Sequence, residues 1–244
     1  MLEVKKNKII EWSFIITIFG CSQYLVLTTL AMIFYTGGNS TNPSAQRYDF
    51  VRNFFSDLGR ADTFLGDSNI VSRILFTIAL TIAGISLLFY FISIPFLFTE
   101  KKLTKWIAII GAINGIVTAI NYIGIAFTPY DRNLDLHVNF VYTAFTSSIS
   151  LVIIFSVLFF LNKKIPKYLS WVFVVETIFI ILYVILLYGG FGPSVGVIID
   201  AIGQKIVVYS EIICFLIQGI GGLLFIKNLK VKSNSDTIEE TSTM

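Results

Sequence analysis

The sequence predicts an all-α fold: an integral membrane bundle of six transmembrane helices, with an amphipathic helix in the first external loop. Hydrophobic residues make up 55% of the 244 residues and charged residues only 14%, whereas about a quarter of a soluble domain is charged. Six apolar runs reach the roughly 20 residues that a helix needs to cross the hydrocarbon core. A long polar passage separates the first two runs and contains the amphipathic stretch.

The predicted organisation is a single membrane domain between two polar ends. Residues 1–11 are expected to be a cytoplasmic N-terminus, and the six-helix transmembrane domain occupies 12–229. The segment 230–244 is polar and rich in Ser, Thr and Glu, so it is expected to be a disordered cytoplasmic tail. The predicted helices cover 12–35, 73–98, 106–127, 137–161, 168–188 and 205–226.

The first helix is followed by the amphipathic stretch. Trp12 and Tyr35 flank the helix, as expected for aromatic residues at the two membrane interfaces. In Gln46–Gly59 apolar residues recur at helical spacing, and Gly59 is placed to end a helix in a left-handed conformation. One interpretation is a helix at the membrane surface with its aromatic side in lipid. The other is a lid or floor for a polar site.

Helix three carries a stripe of small and polar residues. Gly111 and Gly115 have the spacing that permits close helix approach. Asn114 and Asn121 continue the same face, and we expect these intramembrane amides to find partners across the helix interface. Packing between helices is the simplest explanation of the whole stripe.

Helices four, five and six each contain an ionisable group. His137, the only histidine, begins helix four, and Glu176 lies near the middle of helix five. In helix six, Gln204, Glu211 and Gln218 recur every seven residues and therefore share one face. Such groups in lipid either bond neighbouring helices or serve a proton or cation path. Helix five is expected to end at a break formed by Gly189, Gly190, Gly192 and Pro193.

Charges separate sharply along the chain. The N-terminus, two of the turns and the segment after the last helix hold twelve lysines, whereas the intervening loops hold all five arginines and seven of the eight aspartates. By the positive-inside rule both termini are cytoplasmic. The net charge is only +3 and no basic patch is interleaved with aromatics, so the sequence gives no support for a nucleic-acid partner. Cys21 and Cys214 lie inside apolar runs and are interpreted as small apolar fillers.

Three segments bring candidate site residues to the predicted external face. Ser56, Asp57 and His137 are the candidate catalytic residues. Asp57 and His137 suit an acid/base pair or a metal ligand set, and we predict their side chains within about 4–6 Å of each other. The chain has no GxSxG elbow and no HxxxH zinc spacing, and the metal and any cofactor stay unassigned. The candidate ligand-binding residues are Arg60, Asp131, Asp200 and Arg52, of which the arginines suit the phosphate of a lipid head group.

Several short motifs resemble those of the DUF998 family. They are RNFFSDLG after helix one, FTPYD ahead of a helix-starting histidine, and an Asp followed by Gln-Lys before the last helix. That family contains archaeal and bacterial membrane proteins without an assigned activity. It is similar in layout to the eukaryotic six-helix Frag1/DRAM/Sfk1 proteins, some of which are tied to lipid-anchor remodelling, phosphoinositide regulation or autophagy. The resemblance implies this fold from about residue 10 to 229, the plasma membrane of a prokaryote, and a role for Ser56, Asp57, Gly59 and His137.

Three functions are compatible with these features. The first is binding of a lipid head group or a partner at the external polar cluster. The second is a membrane-embedded lipid hydrolase or transferase that uses Asp57 and His137. The third is a small proton- or cation-coupled transporter that uses Glu176 and Glu211. The expected partners are the lipid bilayer and a lipid head group, and nucleic acid is not among them.

Overall fold

The computed structural model describes residues 2–189 and 195–242, and its architecture there is all-α. Each of the six predicted spans coincides with one helix that is long and apolar enough to cross a membrane. Short 3-10 helices occur at Phe55–Gly59 and at Ile94–Phe98, the second directly after α2. The six helices are α1 (Leu2–Phe34), α2 (Ile70–Ser93), α3 (Lys102–Phe127), α4 (Leu134–Leu161), α5 (Lys167–Gly189) and α6 (Val195–Ser242).

The helices form a closed ring. Each helix packs against the next one in the chain, and α6 also packs against α1. One end of the bundle carries the lysine-rich turns between α2 and α3 and between α4 and α5; we call it the lysine end. At the other end, residues 35–69 between α1 and α2 form a structure that we call the cap.

Aromatic side chains fill the half of the bundle next to the lysine end. Tyr90 and Phe91 of α2 contact Phe215 of α6, with ring centroids 5.4 and 5.6 Å apart. Phe155 of α4 and Phe173 of α5 extend this cluster, and all five side chains are buried. Close packing of this kind leaves no room for water between the rings.

The prediction of an amphipathic helix over Gln46–Gly59 is wrong, because only Phe55–Gly59 is helical, as a single 3-10 helix. Side chains in the first half of the stretch bond its own backbone. The Val51 amide donates to Asp49 Oδ1 at 2.9 Å, and the Asp49 amide donates to Asn53 Oδ1 at 2.9 Å. Such local bonds compete with the regular bonds of a helix.

Two further expectations about the cap need correction. Gly59 does not adopt a positive φ; a Cβ there would come within 2.8 Å of the Phe76 ring, so close contact with α2 explains the glycine. The glycines with positive φ in the cap are Gly37, Gly38 and Gly66. Tyr35 is not at an interface, since it is buried and donates to the Gly38 carbonyl.

The glycine stripe of α3 packs closely, as predicted. A Cβ on Gly111 would lie 2.8 Å from Ile154 of α4, and one on Gly115 would lie 2.3 Å from Phe91 of α2. The expectation for the asparagines is wrong, because Asn114 and Asn121 donate to carbonyls of their own helix four residues earlier. The bond across this interface joins the hydroxyls of Thr118 and Ser147, 2.7 Å apart.

The ends of α5 and α6 differ from the predicted bounds. Helix α5 extends to Gly189, and the remaining residues of the predicted break, Gly190, Gly192 and Pro193, lie outside the described residues. Helix α6 begins ten residues before the predicted start at Lys205. It also continues into the segment 230–244, whose disorder stays a prediction.

Candidate functional site

A cavity of about 60 Å³ lies in the half of the bundle next to the cap. Its walls come from α1, α2, α3, α4 and α6, and the 3-10 helix of the cap covers it. Most of the lining is apolar, for example Leu80, Ala83 and Phe145. Because one water needs roughly 10–15 Å³ of such space, the cavity has room for several waters or for part of an acyl chain.

His137 presents a fixed imidazole to this cavity. It lies in the first turn of α4, is 3% exposed, and lines the cavity wall. Its Nδ1 is 2.6 Å from the carbonyl oxygen of Thr128. Because a carbonyl only accepts, Nδ1 carries the proton, and the lone pair of the neutral ring is on Nε2. The arrangement suits a general base or a hydrogen-bond acceptor.

Ser56 lines the same cavity from the cap side. It belongs to the 3-10 helix, is half-buried, and precedes Asp57 in the chain. Within residues 2–189 and 195–242 its hydroxyl has no hydrogen-bond partner. The structure therefore brings Ser56 and His137 to one cavity although 81 positions separate them.

Asp57 is used inside the cap. Its Oδ2 accepts hydrogen bonds from Asn53 Nδ2 and from the Phe54 amide, both at 2.9 Å. Burial raises the pKa of Asp57 to about 6, although these two bonds and the charges of Arg60 and Lys205 act in the opposite direction. Asp57 is not among the cavity-lining residues, and no hydrogen bond or ion pair joins it to His137 in the described part of the chain. The predicted 4–6 Å approach stays a prediction.

The start of α6 holds the cap in place. Gln204 lines the cavity and accepts a hydrogen bond from the Phe55 amide at 2.8 Å. The ammonium of Lys205 donates to the carbonyl of Asn53 and also to the carbonyl of Ala201 at 3.1 Å. Although Lys205 is only 2% exposed, it lies within 5.7 Å of the ring centroids of two cap aromatics, an arrangement that favours a buried cation. These contacts make α6 the anchor of the cavity roof.

Asp131, another candidate residue near the cap, binds the backbone of the cap. Asp131 accepts from the amides of Ala61 and Asp62 at 2.9 and 3.1 Å. Partial burial acts to raise the pKa of Asp131, but these amides and Arg60 outweigh it, and the pKa is lowered.

The predicted ligand-binding arginines and Asp200 lie around the cap. Arg60 stacks over the ring of Phe64 at 4.0 Å, and Arg52 pairs with Asp49 at 2.7 Å. A buried oxygen of Asp200 has no hydrogen-bond partner among the described residues. The assignment of these residues to ligand binding stays a prediction.

The polar face of α6 bonds its neighbours. Glu211 lines the cavity, is 5% exposed, and accepts from the hydroxyl of Tyr122 on α3 and, at 3.4 Å, from that of Ser148 on α4. Gln218 donates to the carbonyl of Leu169 on α5 at 2.7 Å. Bonding between helices therefore accounts for most of the side-chain bonds on this face.

Glu176 lies outside the central cavity. It is 1% exposed and accepts from the hydroxyl of Ser210 on α6 at 3.3 Å. It is at the bottom of an open groove of about 600 Å³ between α5 and α6.

The metal alternative has no ligand cluster in the described part of the chain. No group of three or more His, Cys, Asp and Glu side chains there is arranged to hold an ion. Cys21 and Cys214 are buried and unpaired, as expected for apolar fillers.

Sequence reasoning gave no role in the site to three residues that shape it: Tyr122, Asn53 and Lys205. Lys205 had a signal, since it is the one lysine outside the two lysine-rich turns and the two ends of the chain. No sequence signal pointed to Tyr122, because its contact with Glu211 depends on the order of the six helices around the bundle. Asn53 was assigned to the polar side of a helix that does not form.

The described chain is thus a multi-pass membrane protein with a central cavity under an ordered cap. Comparison with family models, with curated proteins and with solved structures returned no match.

Proposed function

We propose that the protein binds a lipid-class amphiphile, with an apolar chain in the central cavity and a polar group near His137 and Gln204. The observation that carries this proposal is the composition of the cavity. Its walls are apolar over five helices, and a few polar side chains lie where the cap covers it. Ligand sites commonly combine a mostly apolar lining with a small number of fixed polar groups.

The orientation of the bundle is part of the proposal. Twelve lysines lie at the end opposite the cap, which supports a cytoplasmic lysine end and an external cap. The ligand would then enter from the external leaflet of a plasma membrane. Exposed arginines on the cap, such as Arg52, suit a phosphate on the head group. Kinship with the DUF998 family stays a proposal that rests on the short sequence motifs.

Photocrosslinking tests lipid binding directly. The purified protein is incubated with a phospholipid that carries a diazirine on one acyl chain, and the labelled peptides are identified by mass spectrometry. Label is expected on cavity-lining peptides of α2 and α6. The variant Ala83→Phe fills the cavity and should reduce that label at least about fivefold. The control Ile78→Phe places the same ring on the lipid-facing side of α2 and should leave the label unchanged. Equal labelling in the two variants would contradict the proposal.

A second candidate function is acyl hydrolysis or transfer, which the common cavity of Ser56 and His137 and the free Nε2 lone pair of His137 favour. In that reaction Ser56 Oγ attacks the acyl carbonyl carbon while His137 Nε2 takes the hydroxyl proton. The alcohol then leaves with that proton, and water or a second alcohol releases the acyl group. A fluorophosphonate probe should label the wild-type protein and should fail with Ser56→Ala. Lipid crosslinking without probe labelling would leave binding as the function.

A further inference from the structure

The groove between α5 and α6 differs from the rest of the lipid-facing surface. It has a volume of about 600 Å³ and extends from Tyr168 to Phe179 on α5 and from Ile206 to Ile217 on α6. Each wall is therefore about three helical turns, or roughly 16 Å, long. Bulky residues that are about half exposed, such as Trp171 and Ile213, form its sides. The groove matches the length of several turns of another helix.

A carboxyl group lies at the bottom of this apolar groove. Glu176 is nine residues after the start of α5, so it lies about 14 Å inside the span. Its hydrogen bond among the described residues comes from the hydroxyl of Ser210, and no basic side chain there lies within ion-pair distance of it. The other titratable side chains that line the groove are Tyr168, Tyr209 and Cys214, and the other buried acid within the described spans is Glu211. None of these supplies a positive charge.

We propose that this groove docks a transmembrane helix of a partner protein that carries one lysine or arginine opposite Glu176. An acyl chain would fill the groove but would offer the carboxyl no charge and no hydrogen bond, so Glu176 would have to stay protonated there. A basic side chain on a partner helix supplies the missing charge and a hydrogen bond at the same depth. A second copy of this chain is a poor occupant, because its basic residues lie near the ends of the spans, except for Lys205, which is buried against its own cap.

The groove supplies its own reporter for a test. The chain has three tryptophans, and Trp12 and Trp106 face lipid on other helices. The double variant Trp12→Phe/Trp106→Phe leaves Trp171, at the side of the groove, as the single donor for energy transfer. The full-length protein is reconstituted in phosphatidylcholine vesicles. The probe is a dansyl-labelled 21-residue Leu/Ala helix with either lysine or leucine at its centre.

The lysine peptide should reach half-maximal transfer from Trp171 at no more than a tenth of the mole fraction that the leucine peptide needs. Glu176→Gln keeps an acceptor for Ser210 but removes the charge, and it should abolish the difference. Glu211→Gln, which alters the acid of the cavity, should preserve it. Ile213→Phe narrows the groove but leaves Glu176 intact, and it should weaken the binding of both peptides. In a second measurement, phospholipids with brominated acyl chains report whether lipid contacts Trp171 by quenching its fluorescence. Equal energy transfer from both peptides, together with quenching of Trp171 at every peptide concentration, would show that lipid fills the groove and would overturn the proposal.

Discussion

At the scale of single residues, Asp57 has the most informative environment. It is an acid held within the cap by an amide side chain and a backbone amide, at a position that is 3% exposed. The pKa of Asp57 is raised from 3.8 to about 6 by burial. A raised pKa means that burial of the charged form costs free energy. The folded cap therefore favours the protonated form of Asp57.

This environment predicts a pH dependence of the cap. The contribution of Asp57 to folding stability is fully present below about pH 4 and is lost as the pH rises through about 6, a change of about 3 kcal/mol at most. In Asp57→Asn, the amide oxygen can occupy the position of Oδ2 and keep both bonds. The variant should be more stable than wild type at pH 7.5 and should lack this pH dependence.

Thermal unfolding between pH 4 and 7.5 measures the effect of Asp57→Asn. The control Asp67→Asn changes an exposed carboxylate of the same cap and should follow the wild-type profile. A wild-type protein whose cap is most stable at pH 7.5 would show that burial does not dominate at Asp57.

At the scale of elements, α6 connects the cap to the bundle. Lys205→Met keeps the aliphatic stem and the contacts with the cap aromatics but removes the donor to the Asn53 carbonyl. That carbonyl then loses a charge-assisted bond in a buried position, a loss of about 1–3 kcal/mol. Amide hydrogen exchange of the segment 49–59 should become at least about fivefold faster.

The variant Lys101→Met gives a matched control for Lys205→Met, because it removes an exposed lysine at the opposite end of the bundle. Exchange in the segment 49–59 should be unchanged there. If the two variants exchange at the same rate, the bond from Lys205 to the Asn53 carbonyl does not hold the cap in place.

The helices could be predicted from sequence, whereas the cap could not, and the reason is physical. A chain in lipid must satisfy its backbone within each span, so long apolar runs have to be helices. The stretch Gln46–Gly59 lies outside this constraint. There Asp49 and Asn53 bond nearby backbone amides, and the helical spacing of the aromatics does not decide the structure. The spacing of Gln204, Glu211 and Gln218 did predict a buried face, because a seven-residue repeat is a property of the helix itself.

The partners of those side chains depend on the whole molecule. Glu211 meets Tyr122 and Ser148 because α3, α4 and α6 converge on the centre of the ring. Nothing in the spacing of a single helix specifies that meeting. The common cavity of Ser56 and His137 has the same origin. Sequence reasoning could therefore name these two residues but could not supply the shape or the lining of the site.

The orientation of the molecule can be tested by cysteine labelling in intact cells. Cys21 and Cys214 are buried, so they give little background. Asn133→Cys, in the loop between α3 and α4, should react with a membrane-impermeant maleimide from outside. Asn162→Cys, at the lysine end, should react only after the cells are opened. The reverse pattern would place the cap and its cavity on the cytoplasmic side.

The aromatic packing around Tyr90, Phe91 and Phe215 determines whether a molecule in the cavity could cross the bundle. Phe215 lines the cavity and contacts Tyr90 and Phe91 behind it, so the three rings lie between the cavity and the lysine end. In this conformation a passage across the membrane would require several large rings to change rotamer together. If the protein binds an amphiphile as proposed, that ligand is held on the cap side of these rings.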